Sequence, residues 1–168
     1  MRWARQEPAR VRRLALVATT PRFVAGHDWP HATSAQTLAR FGDELRVAYR
    51  ATLLRFLTLQ VQGSDEGRRT LAELRERLFA RGDPDPRQLD AALSVLRDAD
   101  LRPSLPGVRA PALVIGGARD ALVPLAATKA LAAALPNAAH RTIDGAAHAP
   151  FLSHPAAFAA ALESVRDD

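Results

Sequence analysis

Four consecutive apolar residues, Ala112-Leu113-Val114-Ile115, restrict the chain's choices more than any other stretch. With no polar residue between them they suit a strand covered on both faces, as in a parallel sheet. Gly116-Gly117 ends the run, and Asp120 follows in the loop. Pro124 stands where a helix can start, and the alanine-rich residues 125–135 extend it until Pro136-Asn137. Residues 139–143 read as the next strand, and His148 comes five residues after Ile143, in a loop softened by Gly145 and Ala147. Two neighbouring parallel strands therefore carry an acid and an imidazole to the same end of one sheet. That pairing is the orienter-plus-base half of a Ser-His-Asp triad.

Composition limits what can surround this stretch. At 168 residues, with 48% hydrophobic and 24% charged residues, the chain has the make-up of a globular domain with a core. No apolar run approaches the roughly 20 residues of a membrane span. The basic start, MRWARQEPARVRR, lacks the apolar centre of a secretory signal. Cysteine is absent, which removes disulfides, thiol nucleophiles and cysteine metal sites. A cytoplasmic location is expected, with no membrane partner. The formal charge of +5 raises the question of an acidic partner. Of the 23 basic residues, however, only Lys129 is lysine, and the arginines are interleaved with acids. The pattern reflects coding bias more than polyanion binding, so no nucleic acid partner is expected.

Before the central stretch, residues 1–7 are helix-compatible and residues 11–18 look like a strand, apolar from Leu14 onward. Residues 23–33 form a loop in which His27, Asp28 and His31 hint at a metal site. Pro30 blocks the helix that would align the two histidines, and a surface turn is the expectation. From Ser34, a plausible N-cap, to Leu101 the pattern is helical throughout. Leu38, Phe41, Leu45, Tyr49, Leu53, Phe56 and Leu57 form a first apolar stripe, with a joint expected at Gly42-Asp43. Ser64-Asp65-Glu66 starts a second helix, buried through Leu71, Leu74, Leu78 and Phe79 and closed by Arg81-Gly82. Asp83-Pro84-Asp85-Pro86 leads to a third, carrying Leu89, Leu93 and Leu96. Strands flank this block, so it reads as a helical cap inserted between two strands. Residues 1–22 and 106–168 are then the core, and residues 23–105 the cap. His154 before Pro155 is expected to anchor a final helix over residues 156–165, and His140 to be structural.

Six segments carry a resemblance: residues 14–23 (LALVATTPRF), 28–30 (DWP), 55–60 (RFLTLQ), 100–105 (DLRPSL), 120–124 (DALVP) and 146–155 (AAHAPFLSHP). In order, and over nearly the whole chain, they resemble the α/β-hydrolases that cleave pimeloyl-[acyl-carrier protein] methyl ester in biotin synthesis. The resemblance implies the C-terminal part of an α/β-hydrolase fold with an inserted four-helix cap. It implies a carboxylesterase that needs no cofactor or metal, with Asp120 as triad acid and His148 as general base. It further implies that Arg55, Arg68 and Arg75 meet an acyl-carrier-protein-linked ester, and that Phe23 and Phe56 line the acyl pocket. Ala51 replaces one basic residue of the family's cap. A solvated helix face, its arginines balanced by Asp43, Glu44, Glu66, Glu73 and Glu76, reads those positions equally well.

No G-x-S-x-G occurs, and none of Ser34, Ser64, Ser94, Ser104, Ser153 or Ser164 follows a strand at a Gly-flanked turn. The chain therefore reads as a fragment whose nucleophile and oxyanion loop are encoded upstream of Met1, inactive by itself. Two other functions fit the same residues: a non-catalytic module binding an acidic carrier protein, and a dehalogenase or C–C bond hydrolase on the same fold.

Overall fold

The computed structural model describes residues 1–61, 65–80 and 82–164; the side chains of residues 65, 66, 68–70, 73 and 74 lie outside that description. Ser64, Arg81 and Val165 fall outside it too, as do the side chains of Arg68 and Leu74. Three parallel strands, β1 (Leu14–Val17), β2 (Ala112–Gly117) and β3 (Ala138–Ile143), form a sheet in the order β1-β2-β3. Leu14 pairs with Ala112 and Val17 with Ile115 on one side of β2; Ala112 pairs with Ala138 and Gly117 with Ile143 on the other. β2 is buried at all six positions, which is why its sequence shows no alternation. Each of Leu113, Val114 and Ile115 is at most 1% exposed. Burial at that level contributes roughly 1.5–3 kcal/mol per side chain. Val114 packs with Leu16, Leu105, Val108 and Leu131 on one face, while Leu113 and Ile115 pack with Ile143 and Ala146 on the other.

Helix α1 (Arg2–Gln6) precedes β1, and α5 (Leu125–Ala134) forms the crossover from β2 to β3. α5 buries Ala127, Thr128, Leu131 and Ala132, the spacing of a single helix face. Thr128 Oγ1 donates to the Leu125 carbonyl at 2.9 Å, so its lone pair accepts from His140 Nε2–H at 3.0 Å. His140 is structural, as expected. The chain closes with a single turn α6 (Pro150–Ser153) and with α7 (Pro155–Glu163), at whose N-cap His154 stands.

Between β1 and β2 lie α2 (Ala35–Gln60), α3 (Asp65–Phe79) and α4 (Pro86–Asp98). Ser34 caps α2 by accepting the Thr37 amide at 3.0 Å, and Asp85 caps α4 by accepting that of Arg87 at 2.7 Å. The joint expected at Gly42-Asp43 is absent: α2 runs through it, and its break falls at Ala48 (φ −143°, ψ 59°). Gly42 is instead a contact point, because a Cβ there would sit 3.2 Å from Leu93 of α4. At the break, the buried Thr52 hydroxyl donates to the Glu44 carbonyl at 3.1 Å. That bond crosses the irregular turn and satisfies an acceptor there. Leu78 and Leu96, expected inside, are 38% and 39% exposed. Leu96 instead lines an opening between the helices and the sheet.

The two chain crossings between sheet and helices are tied together. The backbones of Arg22 and Asp100 form an isolated antiparallel β-bridge, the Leu101 amide donates to the Pro21 carbonyl at 2.9 Å, and Arg102 pairs with Asp28 (2.8 Å) and Asp100 (2.7 Å) while lying over the Trp29 ring. Hydrogen bonds from Arg102 hold both carboxyls below the usual carboxylate range. Asp28 is thus occupied by arginine, as a surface turn residue.

Two outcomes follow from this packing. Thr52→Val, which removes the bond to the Glu44 carbonyl, lowers stability in urea unfolding by about 0.5–1.5 kcal/mol, whereas Thr52→Ser retains most of it. Burial first, then Lys129 and Arg141, lowers the His140 pKa from 6.5. The unfolded chain therefore binds the extra proton, and stability falls as pH drops below about 6.5 toward the lowered folded value. A His140→Gln chain shows a shallower acid slope in the same titration.

Candidate active site

The doubled glycine at the end of β2 sets the geometry. A Cβ on Gly117 would run into the carbonyl oxygens of Ala146 and Ala147, so only glycine lets the loop after β3 lie against the end of β2. The two loops are then knitted by backbone bonds: Ala118 N–H to the Ile143 carbonyl at 3.1 Å and Arg119 N–H to the Ala146 carbonyl at 2.9 Å. Gly145, at φ +75°, makes the reversal that brings the loop back.

Held this way, Asp120 and His148 meet. His148 Nδ1–H donates to Asp120 Oδ2 at 2.9 Å. The other oxygen, Oδ1, accepts the backbone N–H groups of Leu122 (2.8 Å) and Val123 (2.9 Å). The carboxylate side chain is 0% exposed, and three donors satisfy it, as a buried charge requires. The imidazole is 26% exposed. With Nδ1 committed to Asp120, Nε2 is the nitrogen left to take a proton.

Two contacts link this pair to the helical layer. Thr33 Oγ1 donates to the Leu122 carbonyl at 2.8 Å, and the Ala149 amide, next to His148, donates to the carbonyl of Gln60 at the end of α2 at 3.0 Å. Between sheet and helices lies a cavity of about 400 Å³ that His148 lines. Its walls are mostly apolar: Phe23 and Leu122 from the sheet side, Leu38, Phe41 and Phe56 from α2, and Leu96 from α4. Phe41 and Phe56 pack with ring centroids 5.2 Å apart. Glu44, Thr52 and Arg55 form a polar patch in the same wall.

Of the residues singled out in the sequence, Asp120 and His148 are thus in contact, and Phe23, Phe56 and Arg55 line the cavity beside His148. Arg75 is exposed on α3 and is not among the lining residues; the Arg68 side chain lies outside the described residues. Arg46 is held by Asp43 and Asp90, and Arg50 by Asp83, so these two belong to a balanced surface. Sequence reasoning passed over Phe41, Glu44, Thr52 and Leu122 as wall residues. Phe41 sat in an apolar stripe indistinguishable from core, and the helix break that turns the stripe toward a cavity has no glycine or proline to mark it. Among the described residues, no group of three or more histidines, aspartates or glutamates is placed to hold a metal ion.

Gly117→Ala separates the two loops. The expected result is a loss of about 2–4 kcal/mol in urea unfolding together with loss of the His148–Asp120 bond, read as a changed His148 imidazole spectrum.

Residues 1–155 match the alpha/beta hydrolase fold family. Relatives from Xanthomonas oryzae pv. oryzae and Stenotrophomonas maltophilia are 49% and 47% identical over 153 and 154 residues, covering 91% and 92% of this chain. Both are named pimeloyl-[acyl-carrier protein] methyl ester esterase, and the chain spans 60% of the length of each. Among solved structures, an esterase from Exiguobacterium antarcticum superposes with a TM-score of 0.80 at 18% identity, over 94% of this chain and 57% of that one. The enol-lactonase of Burkholderia xenovorans LB400 gives 0.78 at 24% identity, over 99% of this chain and 60% of the other. At those identities the superpositions show the fold alone.

Proposed function

The chain belongs to the α/β-hydrolase fold family, and from that premise we propose that it carries the acid and the base of a serine carboxylesterase acting on pimeloyl-[acyl-carrier protein] methyl ester. The observation that carries the reading is the 2.9 Å bond between Asp120 Oδ2 and His148 Nδ1, with His148 lining an apolar cavity. The names of the relatives supply the substrate.

In this reading Asp120 fixes the tautomer. With Nδ1–H held, His148 Nε2 removes the proton from an attacking serine hydroxyl, which is too weak an acid to attack an ester unaided. The buried carboxylate then stabilises the imidazolium, and Nε2–H returns its proton to the departing methoxide. The serine and the oxyanion donors are assigned to sequence upstream of Met1, since the sequence contains no G-x-S-x-G. Residues 1–22 and 106–168 act as core and residues 23–105 as cap. Phe23 and Phe56 hold the acyl chain, and Arg55, Arg68 and Arg75 receive the carrier-linked end. Arg55 has the most support among the three, because it lines the cavity. Among the described residues no helix is long and apolar enough to cross a membrane, and the reading places the chain in the cytoplasm.

The test compares two proteins. The 168-residue chain shows no turnover of a short p-nitrophenyl ester above buffer, while a version extended upstream to include a G-x-S-x-G serine hydrolyses the methyl ester. In the extended protein His148→Ala and Asp120→Asn each lower kcat by about 10³–10⁴-fold. Hydrolysis by the short chain that depends on His148, or an inert extended protein, contradicts the assignment.

A further inference from the structure

The break in α2 gathers three polar side chains in an otherwise apolar wall. Glu44 precedes Ala48, Thr52 and Arg55 follow it, and all three line the cavity. Arg55 Nη2 donates to Glu44 Oε2 and lies 3.5 Å from Thr52 Oγ1, whose own proton is spent on the Glu44 carbonyl. A second arginine of the lining, Arg40, reaches the other Glu44 oxygen at 3.9 Å. One carboxylate therefore serves two guanidinium groups, and the patch keeps an excess of positive charge.

The patch is open to exchange. The Arg55 and Glu44 side chains are 63% and 42% exposed, and a pair so placed is worth at most about a fivefold factor in an equilibrium. Arg55 presents a planar fork that fits an oxyanion, and a carboxylate occupies that position now. The neighbouring wall, Leu38, Phe41 and Phe56, accepts an apolar chain.

We propose that Glu44 is the resident counter-ion of this cavity and its specificity-determining residue: a ligand with an oxyanion on an apolar chain displaces Glu44 from Arg55, whereas a neutral chain binds without exchange. Glu44 thereby sets how strongly the cavity favours anion-bearing ligands. The inference deepens the esterase reading by describing a group of the substrate other than the ester. Its readout is binding, so either claim can fail without the other.

The experiment titrates n-octyl phosphate, n-octanoate and n-octanol into the 168-residue chain and its Glu44→Gln variant by calorimetry, with far-UV circular dichroism checking the fold. The unaltered chain binds both anions more tightly than octanol. Glu44→Gln binds them about three- to fivefold more tightly still, octanol is unchanged, and the gain shrinks as NaCl rises. Glu44→Asp, which keeps the charge, stays near the unaltered chain for all three ligands. A gain for one oxyanion alone upholds the exchange and identifies the ligand group. Anion affinities unmoved by Glu44→Gln, or all three ligands shifting together, overturn it, as does an unaltered chain that prefers octanol.

Discussion

The close approach of two loops over Gly117 is the constraint on which the rest depends. Strands deliver residues to a sheet end only coarsely; a hydrogen bond between a side chain on one loop and a side chain on the next demands much finer placement. Here it comes from backbone contact. Without a Cβ at Gly117, the carbonyls of Ala146 and Ala147 come down onto the end of β2, and the bond from the Arg119 amide locks that position. Asp120 and His148 then need no induced movement to meet. The buried carboxylate follows from the same arrangement, since its second oxygen is satisfied by amides of its own turn.

The helical layer is fastened to this centre at several points of different character. The Thr33 and Ala149 bonds are short and local, tying the entry loop to the acid turn and the histidine loop to the end of α2. The cluster of Arg22, Asp28, Asp100, Arg102 and Trp29 joins the two chain crossings and is charged and partly exposed. The cavity lies between fixed sheet loops and a helix whose own course is broken at Ala48, so its shape depends on the break as much as on the sheet.

How much of this was legible in the sequence depended on whether each signal was local. β2 announced itself because burial on both faces removes every polar residue, and the Asp120 turn and the His148 loop were marked by flanking glycine and proline. The Ser34 and Asp85 sites carry their own capping chemistry. The break in α2 was misplaced: glycine at position 42 suggested a joint, but that residue makes room for Leu93, while the break falls at Ala48, a residue type that favours helix most, with the Thr52 hydroxyl bonded across it to the Glu44 carbonyl. Leu78 and Leu96 were misjudged because periodicity gives the direction of a stripe but not the depth of what it faces. The meeting of Glu44 and Arg55 was equally hidden, since at eleven residues apart they are no pair on a regular helix.

The most direct test of the central claim is the tautomer of His148, read from two-bond nitrogen–proton couplings of the imidazole in the labelled chain at neutral pH. A proton fixed on Nδ1, and lost from it in Asp120→Asn, is the expected result. A ring that is protonated chiefly at Nε2, or that averages between tautomers with Asp120 intact, would contradict it.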